Sequence, residues 1–210
     1  MSRIASRAVT SGALGRHAVP TLSLACVTGL VNEWGAVPQR VSSRPWAGYP
    51  GAGSAERRLL EEEWAAARDA GPAPDDAAVV AAADAVHPVF AATGPGERAR
   101  LLDALVSTLG LGPRVEVRDG AGDLALGWAV PRRGARLTAA LVVALLPATP
   151  RAGAPRLGTC GAQDCADVFA DVSPRQDRAY CSVRCQARER ARARRSAARG
   201  PAVVPAQRVR

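Results

Sequence analysis

A mainly α-helical chain with one β-hairpin, closed by a small cysteine-held module and a basic C-terminal helix, is what this sequence of 210 residues predicts. Three observations lead there. Apolar residues recur at three- and four-residue spacing in successive segments between positions 22 and 146, the period of a helix with one buried face. One stretch, 114–128, instead alternates apolar and polar residues on either side of Asp119-Gly120, the pattern of a hairpin. Finally, Cys160, Cys165, Cys181 and Cys185 form C-x4-C and C-x3-C pairs separated by fifteen residues, and an arginine-dense run follows them. This length supports one well-cored domain and a second, small module.

Residues 1–16 are small, polar and basic without periodicity and read as a disordered arm. Leu22, Leu24, Val27, Leu30, Val31 and Trp34 then predict a first helix. Residues 35–53 are rich in glycine, proline and serine and read as a loop, pinned to the body by Trp46 and Tyr49. Ser54 caps a helix whose apolar stripe is Leu59, Leu60 and Trp64, with Glu61, Glu62 and Glu63 turned outward. After Gly71-Pro72-Ala73-Pro74, the pair Asp75-Asp76 opens another helix toward Ala92, which Pro88 should kink or end early. The clearest helix spans 97–109, with Leu101, Leu102, Leu105, Val106 and Leu109 along one side. In the hairpin, Val115 and Val117 alternate with Arg114, Glu116 and Arg118, and Leu124, Leu126 and Trp128 alternate on the return. Residues 136–146 form a strongly apolar helix that should be buried, and 147–155, with three prolines, read as a linker. The expected organisation is therefore an arm (1–16), a helical α+β domain (17–146), the linker (147–155), the cysteine module with its basic helix (156–199) and a disordered tail (200–210).

Two close cysteine pairs joined by a short loop suit a tetrahedral zinc ion, each pair supplying two corners. A disulfide framework is the competing reading, and sparse cysteine elsewhere disfavours it. Cys26 lies far upstream and reads as a small buried apolar residue. Four protein ligands leave no corner for an activated water, so the expected role is structural, with one Zn2+ per chain. Between the pairs, Val168, Phe169 and Val172 predict a short strand, Ser173-Pro174 a turn, and Tyr180 a returning strand, with Phe169 and Tyr180 as a small core beside the metal. Ser182 should cap a helix on which Cys181 and Cys185 share one face. Knuckle, hairpin and helix in that order give a treble-clef-like plan.

The run from Arg156 through Cys160, Cys165, Phe169, Asp171, Ser173, Tyr180 and Cys181-Ser182 to Cys185 resembles the CGNR zinc finger. That finger typically closes an N-terminal helical region, the ABATE domain, whose layout residues 17–146 loosely follow. The resemblance implies a transcription regulator, of a family linked to stress responses, whose finger contacts DNA. Where the family has Cys-Gly-Asn-Arg, this chain has Cys185-Gln186-Ala187-Arg188, keeping the ligand and the arginine but not the Gly-Asn step.

Charge supports a polyanionic partner. The formal net charge is +9 and every basic residue is arginine. Residues 1–150 hold 15 arginines against 14 acids, whereas residues 151–210 hold 13 against 5. Such a localised excess is the electrostatic footprint of nucleic-acid binding. Arg184, Arg188, Arg192, Arg195 and Arg199 recur along one helical face, and Arg190 and Arg194 widen it. Arg184 and Arg188, nearest the finger, are candidates for base edges, and the others for phosphates. The same pattern would serve an RNA- or ribosome-associated adaptor, a module holding an acidic protein, or a solvated tail without a partner.

The rest of the chain lacks a catalytic constellation. His17 and His87 have no partner at ligand or nucleophile-base spacing, and Glu61–Glu63 read as a solvated face, so no enzyme is expected. No apolar run reaches membrane-spanning length, and no secretory signal is read; with reduced cysteines, this predicts a cytoplasmic protein. A homodimer through the N-terminal domain, and an effector pocket formed by Trp34, Trp46, Tyr49, Trp64 and Trp128, are further expectations; the competing reading makes those aromatics core.

Overall fold

Ser23 starts the first helix, α1 (Leu24–Trp34), by accepting the Cys26 amide on its hydroxyl at 3.1 Å. From there the apolar residues fall three and four apart, so Cys26, Val27, Leu30, Val31 and Trp34 are all buried. The computed structural model describes residues 15–41, 53–67, 71–117, 124–148 and 154–199. Within them α1 is followed by α2 (Ala36–Val41), α3 (Ala55–Ala65), α4 (Asp76–Ala91), α5 (Pro95–Leu109) and α6 (Arg136–Leu145). A last helix, α7 (Val183–Arg199), lies in the cysteine module. The fold is mostly helical with small antiparallel sheets, as the sequence predicts.

Helices α1, α4 and α6 pack together as the centre of the main core. Helix α6 is apolar nearly all round and buries Leu137, Ala139, Ala140, Leu141, Val142 and Leu145. Ser54 caps α3 by accepting the Arg57 amide, and Leu60 and Trp64 face inward from it. Asp75 does the same for α4 through the Ala78 amide. Helix α5 ends at Gly110, whose φ of 63° is the left-handed cap conformation that glycine adopts without a Cβ penalty.

Three expectations are corrected. Residues 36–41, expected as loop, are helical, because Pro38 lies in the first turn, where its missing N–H costs nothing, and Asp84 accepts the Ala36 amide at 2.6 Å. Of the two outcomes expected at Pro88, a kink or an early end, the early end is excluded, since α4 runs on to Ala91. The proline's cost of about 3 kcal/mol is offset by the fully buried Val89 and Phe90 beyond it, each worth about 1.5–3 kcal/mol. Arg16, expected in the disordered arm, is instead held beside the two-residue strand β1 (His17–Ala18), donating to the Gly110 and Ala129 carbonyls. Residues 1–14, with Trp46 and Tyr49, lie outside the described residues.

The predicted hairpin is present as β2 (Gly112–Val117) and β3 (Leu124–Val130), antiparallel, with Val115 opposite Leu126 and Pro113 opposite Trp128. Strand β1 pairs with the other edge of β3, giving the order β1-β3-β2. The apolar row at the far end of the hairpin is exposed: Val115, Leu124 and Leu126 are 67%, 72% and 71% accessible. Only the Ala129–Val130 end of β3 is buried, where α6 packs.

A second sheet, β4 (Arg156–Thr159) with β5 (Val168–Asp171), belongs to the cysteine module and packs against α1 and α4. Leu157 and Val168 of this sheet are part of the same continuous core as the helices. The core thus crosses the proline-rich segment. No helix among the described residues is long and apolar enough to cross a membrane.

Candidate metal centre

The two strands of the module turn toward each other immediately around the first cysteine pair. Thr159 lies opposite Val168, and the Cys160 amide donates to the Asp167 carbonyl at 2.8 Å. Residues Cys160 to Cys165 therefore form the knuckle at the tip of a β4–β5 hairpin. The sequence expectation had the hairpin between the two cysteine pairs, with Tyr180 on its returning strand. Instead β5 pairs upstream with β4, while the chain after Asp171 turns without joining the sheet. Ladder pairing sets this choice: four residues of β4 match four of β5, whereas Ala179 contributes a single bond, accepting the Gly161 amide at 2.8 Å.

That turn is organised by Asp171. Its buried carboxylate accepts the Ser173 amide at 3.0 Å and the Arg178 amide at 2.9 Å, and Arg156 lies 4.0 Å away. Hydrogen bonds from Ser173 and Arg178, with the Arg156 charge, hold the carboxyl below its usual range. Arg178 continues along the turn, donating to the Tyr180 and Cys181 carbonyls. Phe169 is buried with the Arg156 and Arg178 guanidiniums 5.4 and 5.2 Å from its ring centre. Of the two aromatics expected beside the metal, Tyr180 packs against the cysteine cluster, while Phe169 is held by the arginine pair.

The second pair is placed by the start of α7. Ser182 caps the helix as expected: its hydroxyl faces the Cys185 amide at 3.3 Å and its carbonyl accepts the Gln186 amide. Cys181 sits just before the cap and Cys185 in the first turn, with 3.5 Å between their sulfurs. Cys165 Sγ is 3.7 Å from Cys181 Sγ, and all four sulfurs lie within 4.8 Å of one another. A tetrahedron of thiolates around zinc, with Zn–S near 2.3 Å, has edges of about 3.8 Å. A disulfide needs about 2.05 Å, and all five cysteines are free thiols. Cys26 is buried in the helical core, as read from the sequence.

The four thiols fit one zinc ion. Cys160 and Cys185 are buried and Cys165 and Cys181 partly so. Burial pushes the Cys165 thiol up to about 12 and raises Cys181 as well. At Cys185 burial also acts upward, but hydrogen bonds from Ser182 and the neighbouring thiols outweigh it and lower the value. Metal binding to this set must expel protons, so the ion supplies the charge that the protein environment withholds.

The arginines of α7 divide into two groups. Arg188 donates from Nη2 to Cys185 Sγ at 3.4 Å, which orients a ligand. Arg192 is tied to Asp164 at 2.5 Å and to Glu189 at 2.8 Å, and Glu189 in turn receives the Gln163 amide at 3.3 Å. Two members of the predicted nucleic-acid stripe are therefore engaged at the metal centre, Arg188 on a ligand of its own helix and Arg192 on the knuckle. On a helix, Arg190 and Arg194 lie on the side away from Cys185 and Glu189. Arg184, Arg190, Arg194 and Arg195 are exposed and make no ion pair among the described residues; Arg199 is the last residue of α7.

The other candidate residues do not converge on a site. Trp34 and Trp64 are core, Trp128 packs at its margin, and His87 is buried with Nε2 3.4 Å from the Ala166 carbonyl. A cavity of about 170 Å³ between α4 and α5 is lined by Ala85, Pro88, Val89, Leu101, Leu105 and Thr108, without a charged group. No curated protein matches the chain. Residues 156–198, from the first strand of the hairpin to the end of the basic helix, match the family model of the CGNR zinc finger.

Proposed function

We propose that the chain is a DNA-binding transcription regulator whose zinc finger presents the outer face of α7 to a duplex. The observation that carries this reading is the division of the arginines. Arg192 fixes the helix to the knuckle through Asp164 and Arg188 is engaged on the Cys185 sulfur, which leaves Arg184, Arg190, Arg194 and Arg195 displayed on a held helix. The hairpin whose tip Arg192 holds packs in turn against α1 and α4. When bound, zinc supplies the cross-link that closes the finger. Arginine forks then suit phosphate oxygens and guanine edges.

In this reading the N-terminal region acts as an ABATE-like sensor or dimerisation module. The protein is a cytoplasmic binding protein, and the four-thiolate centre has no catalytic role. The test is a titration of labelled duplex DNA and structured RNA with zinc-loaded protein across a salt series. Neutralising about five phosphates gives a slope of log affinity against log salt near −4.5. Tighter binding to RNA would replace the reading with an RNA-associated adaptor. No binding to either at physiological salt would replace it with a protein-interaction module.

A further inference from the structure

Beyond the ligands, three side chains of the helical domain grip the backbone of the finger's hairpin. Asn32 at the end of α1 uses both ends of its carboxamide on one residue. Nδ2 donates to the Val168 carbonyl at 3.0 Å, and Oδ1 accepts the Val168 amide at 2.6 Å. In an antiparallel ladder, alternate residues point their N–H and C=O away from the partner strand. Val168 is such a residue, since the neighbouring Asp167 carbonyl receives the Cys160 amide on the β4 side. Asn32 thus completes the outer edge of β5 as a third strand would.

Arg98 holds the other strand. It donates to the Leu157 carbonyl at 3.3 Å while closing the C-terminal end of α4 through the Val89 and Ala92 carbonyls at 3.1 and 3.2 Å. His87 stands beside the Ala166 carbonyl at 3.4 Å. Together these groups reach the chain three residues before Cys160 and at one and three residues after Cys165.

We propose that Asn32 is a positioning residue for the metal centre, clamping Val168 so that its register partner Thr159, and with it Cys160 and Cys165, are held at ligand spacing. Zinc binding and the packing of α1 and α4 against the finger are then one coupled equilibrium. Metal stabilises the helical domain, and any ligand or partner that shifts α1 changes zinc affinity by the same factor. This link stands on the metal centre alone and is independent of the nucleic-acid reading.

The experiment measures zinc affinity of the full chain by competition with a chromogenic chelator. Asn32→Ala should bind zinc about tenfold or more weakly, the usual scale for groups that orient ligands from outside the coordination shell. Leu141→Ala, in the core of α6, is the control: it should lower the melting temperature while leaving zinc affinity unchanged, because a generally weakened fold does not move the knuckle. Arg98→Met is a second clamp variant and should act in the same direction as Asn32→Ala if the latter fails to fold. Reciprocally, stripping zinc from the wild-type chain should speed hydrogen exchange of the α1 and α4 amides. Unchanged zinc affinity in a folded clamp variant, or exchange in α1 and α4 indifferent to zinc, would overturn the proposal.

Discussion

Arg192 Nη2 lies 2.5 Å from Asp164 Oδ2, joining the third turn of α7 to the knuckle between the first two cysteines. That single pair changes which arginines are available to a partner. By spacing alone Arg192 belongs to the same stripe as Arg184 and Arg195, yet its guanidinium is spent on Asp164 and Glu189.

Exchanging Arg190 and Arg194 for alanine should therefore reduce the salt slope of DNA binding by about two, one for each phosphate contact removed. Arg192→Ala should leave the slope unchanged and instead loosen the finger, seen as a lower melting temperature and easier loss of zinc to a chelator. Equal slopes in the Arg190/Arg194 variant and the wild type would contradict this division of labour.

Replacing any one of Cys160, Cys165, Cys181 or Cys185 by serine should reduce bound zinc from one per chain to none at micromolar metal. Because Leu157 and Val168 lie in the main core, the melting temperature of the helical domain should fall too, although its helices persist in the far-ultraviolet spectrum. Elemental analysis and a melt monitored at the tryptophans check both parts.

Little of this continuity is legible in the sequence. Helices α5 and α6 announce themselves through apolar spacing, α3 and α4 through the caps Ser54 and Asp75, and the four ligands through their own spacing. The grip of Asn32 on Val168 spans 136 residues and involves a polar side chain at a helix end, which local periodicity cannot single out. Strand β1, two residues long, exists only because β3 offers it an edge. The finger's hairpin departs from expectation for a related reason: Arg156–Thr159 lies outside the cysteine pairs, and its pairing with β5 is decided by the ladder and by the helices beneath it. Helix α2 was hidden by Gly35 and Pro38, residues that mark a loop unless a cap such as Asp84 is supplied from afar. Alternation likewise marks an apolar row at Val115, Leu124 and Leu126 without revealing that nothing among the described residues covers it.

Gly158 faces the Phe169 ring, and a Cβ there would stand 2.8 Å from Cζ. The ring is buried and flanked by two guanidiniums, so it has little room to yield. Gly158→Ala should destabilise the finger by about 1–3 kcal/mol, the usual cost of overpacking. Chemical denaturation of the zinc-loaded chain measures it, and an unperturbed midpoint would contradict the packing described.

Burial, helped by the charge and hydrogen bond of Glu63, pushes the Cys26 thiol from 9.0 up to about 12. A folded-state value above the unfolded one means the native state favours the protonated thiol. That stability is present in full below about pH 9 and is lost as pH rises toward 12. Cys26→Ala should thus show a flatter decline in urea stability between pH 8 and pH 10.5 than the wild type, whatever its starting value. Parallel declines would contradict the assignment.

The most direct measurement is selection of bound duplexes from a random DNA pool by zinc-loaded protein at physiological salt, with Cys181→Ser alongside. A zinc-held helix that contacts DNA predicts an enriched motif that disappears in the variant. Motif-free retention that is the same in both proteins and vanishes at higher salt would contradict it, leaving α7 as an electrostatic anchor alone.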